Sequence, residues 1–178
     1  MSKPTKSHGR ISIGASLRPR ELMSDTPDLA GVWKAKILTL FPEAFPGVLG
    51  ESLTGKALQQ GLWQLETVDL RPFGIGKHKN VDDTPAGGGA GMVLRADVLG
   101  EAIEHAMQGT RGNWPLIYMS PRGRRMDQQM MQNFARCDGM TLLCGRFEGV
   151  DERVLEHYGI QEVSLGDFVM TGGELAAQ

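Results

Sequence analysis

Short apolar runs alternate along this chain with stretches of helical period, and most runs end on a turn signal. Ala35 to Leu40 (AKILTL) has strand length and predicts a buried strand. Pro42 then opens a stretch where Phe45, Val48 and Leu49 recur at helical spacing, so a helix is expected there. Leu62 to Leu70 alternates well enough for a second strand, closed by Pro72. From Phe73 to Gly91 only loop chemistry is visible; a loop that long in a compact domain is usually functional or disordered. Ala96 to Met107 places Leu99, Ala102, Ile103, Ala106 and Met107 on one helical face. A strand is expected at Leu116 to Met119, then a helix from Asp127 to about Ala135 that buries Met130, Met131 and Phe134. Leu142 and Leu143 begin the next strand, Glu148 to His157 forms a helix, and Val163 marks the last strand. This alternation predicts an α/β domain with a mainly parallel sheet and helices on both faces. Order is expected from about Trp33, giving a leader over 1–32 and one domain over 33–178, with no internal repeat.

Three of the apolar runs break into glycine-punctuated loops: PLIYMSPRGR from Pro115, TLLCGRFEGVDERV from Thr141 and EVSLGDFVMTGGEL from Glu162. Glycine is heavy, 24 of 178 residues or about 13% against a usual ~7%, and most of the excess lies in the loops. A glycine just after a strand lets main chain approach a ligand that a side chain would hold off. Three such exits from a parallel sheet predict one shared, backbone-lined pocket for a small molecule at the carboxyl ends of the strands.

YMSPRGR, CGRFEGVDERV and SLGDFVMTGGEL resemble the three cofactor loops of the bacterial tRNA (guanine-N1)-methyltransferase family, the TrmD type of the SPOUT superfamily. LFPEAF (Leu40 to Phe45) and VDDTPAGGGAGM (Val81 to Met92) resemble two further segments in the same order. The resemblance covers roughly Ala35 to the last residue; Ala86 stands where many members carry an aromatic residue. It implies a C-terminal trefoil knot and methylation of N1 of the guanine 3′ to the anticodon in tRNA, with S-adenosylmethionine as donor and magnesium as a further requirement. Gly145, Leu165, Gly166, Asp167, Phe168, Val169 and Met170 are the cofactor-site core by that resemblance. Tyr118, Met119, Ser120, Pro121, Gly149, Gly172 and Gly173 are its further lining. Guanine N1 carries a proton at neutral pH, so its methylation needs a general base or a group that stabilises the anion. Glu148 and Asp82 are the catalytic candidates, and His78, Lys79, Asp83 and Arg146 the RNA-binding ones. The family continues into a linker and a C-terminal domain past the position of Gln178. The residue usually assigned as base lies there, together with a neighbouring arginine. The segment after Leu175 is three residues, too short to pack a helix behind the pocket. The family also implies a homodimer, a cytoplasmic setting and no membrane contact.

Net charge is −2 with a pI near 6.1, so nothing global announces nucleic-acid binding. A local patch suffices for phosphate contact, and Lys77–Lys79 or Arg122–Arg125 could supply one, although each alone reads as a solvated run. Cys137 and Cys144 have no disulfide or zinc spacing and suit a reduced, packed state. No run approaches the ~20 apolar residues of a membrane helix. The first 20 residues hold five basic residues and no acid, a composition that also suits organelle import. Asp151 reads as a helix-start charge with Arg153 as its partner. GESLTGKA (Gly50 to Ala57) fits the first part of a P-loop but has Ala57 where magnesium needs Ser or Thr, so nucleotide binding through Lys56 is a remote alternative. A binding fragment without catalysis is the nearer one.

Overall fold

The computed structural model describes residues 31–178; the leader expected over 1–32 lies, up to residue 30, outside them. The strands are β1 (Lys34–Thr39), β2 (Gln64–Asp69), the two-residue β3 (Asp82–Asp83) and β4 (Val93–Leu94), β5 (Leu116–Arg125), β6 (Gly139–Cys144) and β7 (Gln161–Ser164). The helices are α1 (Ser52–Gln59), α2 (Ala96–Met107), α3 (Gln128–Phe134), α4 (Glu152–Tyr158) and α5 (Glu174–Ala177). Five strands form one sheet in the order β2-β1-β6-β5-β7, and every neighbouring pair is parallel.

Strands covered on both faces read as near-continuous apolar runs, and β6 is buried along its whole length. Alternate side chains then serve opposite layers. Leu38, Leu116, Tyr118 and Leu143 pack with Val98, Leu99, Ala102, Ile103 and Ala106 of α2 and with Val154 and Leu155 of α4. Ile37, Ile117, Met119, Leu142 and Cys144 pack on the other face with Met130 and Phe134 of α3. Each fully buried Leu or Ile contributes about 1.5–3 kcal/mol. Besides Glu174, one charged residue among those described is buried, Lys36. Its Nζ donates to the carbonyls of Ala106 (2.5 Å) and Gln108 (3.3 Å) at the end of α2, where helix carbonyls lack partners and favour a cation.

The helix expected from Pro42 is instead two 3-10 turns, Pro42–Ala44 and Gly47–Gly50, followed by α1. Pro46 has no N–H to donate and Gly47 adopts φ +54°, which together break the helical ladder. Val48 is consequently exposed. α1 holds Gly55 and Lys56 within its span and follows a 3-10 turn, not a strand, which removes the P-loop reading. β2 is shorter than 62–70, and Leu62 is exposed. Met131 is exposed while its neighbours Met130 and Phe134 are buried. α4 begins at Glu152 rather than Glu148 because Phe147 (φ +59°) and Gly149 (φ +126°) hold a turn there. Its N-cap Asp151 accepts from Arg153 N (3.0 Å) and pairs with that guanidinium at 2.7 Å, as expected.

β5 does not stop at Met119. Its ladder with β7 shifts register between Met119 and Arg124, so residues 120–123 bulge before pairing resumes at Arg124 and Arg125. Part of the 73–91 stretch is ordered: Ile75 and Asn80 close a bridge, and β3 pairs antiparallel with β4. The chain also forms α5 where no helix was expected. Ala176 and Ala177 pack on the second core cluster, and Gln178 Nε2 donates to Ala44 O at 3.1 Å.

Candidate functional site

β6, β5 and β7 are consecutive in the sheet, so the loops that leave their carboxyl ends are neighbours by construction. They enclose a cleft of about 250 Å³. Tyr118 and Met119 lie just before the bulge of β5 and Ser120 and Pro121 within it; Gly145, Arg146, Phe147, Glu148 and Gly149 follow β6. Val163 and Ser164 end β7, Leu165, Gly166 and Phe168 to Gly173 follow it, and Ala176 lies behind them. The second and third loops meet through main chain: Gly173 N donates to Gly145 O at 3.0 Å. A Cβ on Gly173 would lie 2.7 Å from Cys144 Cα, so only glycine permits this approach.

Tyr118 forms the floor, 5% exposed, its ring beneath Gly145 and Gly149. Burial pushes its hydroxyl pKa up, helped by the Glu162 and Glu152 carboxylates and opposed by Arg122. Tyr118 is therefore a proton donor at neutral pH and not a base. Burial likewise pushes the Cys144 thiol far up, and the Glu174 carboxylate adds to it. Arg146 is closely held. Its Nη2 lies 2.9 Å from Glu174 Oε2, its Nη1 donates to Thr171 O (3.3 Å), and its guanidinium stacks 4.3 Å from the Phe41 ring centroid.

Glu148 and Gly149 form a ridge between this cleft and a second cavity of about 590 Å³, with which it shares Tyr118, Ser120, Pro121 and the ridge itself. Pro85, Ala86 and Val93 bound the far side, with Arg122, Glu152 and Arg153. Glu148 N donates to Met92 O (2.9 Å) and Leu94 N to Gly149 O (2.9 Å), so the end of the 73–91 loop clamps the ridge. Gly91 sits against the Glu148 side chain with no room for a Cβ.

Of the residues expected at a cofactor, all but Asp167 line the cleft; Asp167 is exposed outside it. Glu148 and Arg146, expected to act in catalysis and RNA contact, also line it. Asp82 lies in β3, away from the cleft. Asp83 pairs with Arg95 at 3.0 Å in a third cavity, of about 700 Å³, between α2 and α4. His78 and Lys79 are exposed near the Ile75–Asn80 bridge, with Lys79 Nζ on Pro72 O at 3.0 Å. Sequence reasoning missed Phe147, Val163, Ser164, Thr171 and Ala176 in the lining. Glu174 was given no role there; the available signal was an arginine and a glutamate each set beside glycines in adjoining motifs.

The family model described as tRNA (Guanine-1)-methyltransferase TrmD matches residues 33–178. The chain belongs to that family. It is 97% identical over 156 residues to the tRNA (guanine-N(1)-)-methyltransferase of Ruegeria sp. (strain TM1040) and 82% identical over 156 residues to that of Ruegeria pomeroyi. The alignments cover 88% of this chain and 64% of each relative. The like-named protein of Roseobacter denitrificans is 70% identical over the same length of 156 residues, covering 65% of itself. The chain thus spans just under two thirds of the length of the relatives it matches.

Proposed function

We propose that this chain carries the S-adenosylmethionine site of a methyltransferase acting on N1 of the guanine 3′ to the anticodon in tRNA. The observation that carries the reading is the convergence of three glycine-bearing strand exits on one cleft, in a chain whose relatives bear the name of that activity. At about 250 Å³ the cleft lies just below the ~300–1,000 Å³ usual for ligand sites, and it opens across the Glu148 ridge into the larger cavity. Main-chain groups of the three loops would read the adenosine, and Leu165, Phe168 and Met170 would flank it. The donor supplies an electrophilic methyl; the chain's own residues hold and orient it and keep water away.

Glu148 is the one carboxylate among the residues lining the cleft, on the ridge towards the second cavity. It is our candidate for holding magnesium or for contacting the guanine; no cluster of three metal-ligand side chains exists among the described residues to hold the ion alone. The second cavity is the proposed entry for the guanine, with His78, Lys79, Asp82 and Asp83 acting further out on the RNA. Arg146 is already engaged by Glu174 and Phe41, so its RNA contact is the weakest of the five proposed. A trefoil knot formed by the C-terminal loops, a homodimer with sites shared across the two-fold, and a cytoplasmic setting complete the proposal. None of the helices among the described residues is long and apolar enough to cross a membrane.

The relatives' additional length favours a second reading, in which this chain binds the cofactor or RNA but transfers methyl negligibly by itself. Single-turnover methyl transfer to a tRNA transcript, with this chain and with a version extended by a relative's C-terminal third, separates the two. A gain of ~10²–10⁴-fold on extension is the size expected when a general base is supplied. Equal rates would move the base to Asp82, Asp83, Glu148 or Asp167; no cofactor binding by either would overturn the proposal.

A further inference from the structure

Deepening the cofactor reading above, we infer that Glu174 is a positioning residue that fixes the third loop over the cleft by orienting Arg146. The loop needs such an anchor. Between Val169 and Gly172 its one hydrogen bond to the rest of the protein, among the described residues, is Arg146 Nη1 to Thr171 O at 3.3 Å. Phe168 and Val169 before that point are 54% and 83% exposed, so packing does not hold them.

Arg146 could not perform this role alone, because a long flexible side chain bonds one carbonyl only at an entropic cost. Three contacts pin it. The Phe41 ring lies against its guanidinium, Gly172 sits directly over its Nε and Cζ, and Glu174 Oε2 faces its Nη2. Glu174 is itself fixed: it is 4% exposed, and its Oε1 accepts from Thr39 Oγ1 at 2.8 Å. Thr39 Oγ1 in turn accepts from Phe41 N at 3.0 Å, which sets the ring on which Arg146 lies. One buried carboxylate thereby ties the end of β1, the exit of β6 and the third loop together. A buried ion pair is weak evidence for net stability but strongly constrains geometry, since removing one partner strands the other charge.

The test is a cycle of Glu174→Gln, Arg146→Gln and the double variant in the full 178-residue chain. Hydrogen exchange of the amides over residues 165–173 is read without ligand, and S-adenosylmethionine affinity by calorimetry. Glu174→Gln should speed loop exchange and weaken affinity by roughly tenfold each, near the low end of the coupling between close charge pairs, while exchange in β1 and α2 is unchanged. In the Arg146→Gln background the same substitution should add less than about twofold, because its effect passes through Arg146. Equal factors in both backgrounds, or unchanged loop exchange, overturn the inference. Should Glu174→Gln fail to fold, Arg146→Lys must loosen the same segment, since a point charge cannot reach Glu174 and Thr171 O together; unchanged exchange in that variant also overturns it. Wild-type protein that binds no S-adenosylmethionine refutes the cofactor reading instead, and the exchange comparison still decides the role of Glu174.

Discussion

Gly173→Ala isolates the contact that joins the second and third loops. Gly173 has φ −79° and ψ −10°, open to any residue, so the substitution changes packing and not backbone strain. The new methyl would lie 2.7 Å from Cys144 Cα, 3.0 Å from Gly145 N and 3.2 Å from Cys144 C. These are backbone atoms at the end of the buried central strand β6 and cannot swing aside. Ordinary carbon contacts sit near ~3.5–4.0 Å, so the third loop must withdraw by a large part of an ångström. Overpacking of this kind costs about 1–3 kcal/mol, and the 3.0 Å bond from Gly173 N to Gly145 O is lost with it, about 0.5–1.5 kcal/mol more. A total near 2–4 kcal/mol should lower Tm by roughly 5–15 °C at this chain length, measured by circular dichroism, with S-adenosylmethionine affinity reduced in parallel. Gly87→Ala serves as the comparison: nothing lies within 4 Å, and only its φ of +88° opposes the change. Gly173→Ala stability within about 0.5 kcal/mol of the parent, the range of an ordinary surface change, would refute the close-approach argument.

Gly166→Val should leave the fold intact and weaken cofactor binding, because its nearest neighbour is the half-exposed Phe168 ring, 2.8 Å from the new Cβ, which can rotate; titration and melting together check this. Gly145→Val should lose stability as well as binding, since it drives into the buried Tyr118 ring, 2.6 Å away. Lys36→Met should lower the urea midpoint by about 1–3 kcal/mol equivalent by uncapping α2. In native protein at pH 8, Cys144 should resist alkylation and Cys137 should react slowly, burial holding both thiol pKa values up; mass spectrometry after iodoacetamide treatment reads this, and rapid labelling of Cys144 would refute its burial. Asp151 is held below the ordinary carboxylate range, first by the Arg153 side-chain bond. Its stabilisation is therefore present above the unfolded value near ~3.9 and lost as pH falls through the lower folded value. Asp151→Asn should flatten acid unfolding in that window, checked by melting between pH 2 and pH 5.

Local pattern determined a good deal here. The apolar runs at Ala35, Leu116 and Leu142 and the helical face from Leu99 to Met107 are legible because burial on two faces, or on one stripe, writes itself into adjacent residues. The α/β class and the order of elements follow from that. The glycine-ended exits were legible as well, since close backbone approach leaves a one-residue signature. The helix expected at Pro42 failed because Pro46 and Gly47 break the hydrogen-bond ladder while leaving the apolar spacing intact. The start of α4 was misplaced because Phe147 carries a positive φ that its residue type does not advertise.

What only the tertiary structure decided is which loops meet. The order β2-β1-β6-β5-β7 sets three exits side by side, and no sequence interval encodes strand neighbours. The same folding leaves Asp167 outside the cleft although its neighbours on both sides line it. It also carries Asp83 to a separate cavity and His78 and Lys79 to an outer hairpin. It turns Arg146 inward onto Glu174 and the Phe41 ring, partners 28 and 105 positions away by the numbering. Periodicity reports how each residue faces its own layer, which is a local property; a pocket and its supporting ion pair depend on contacts across many residues of chain, and those are fixed only when the sheet is assembled.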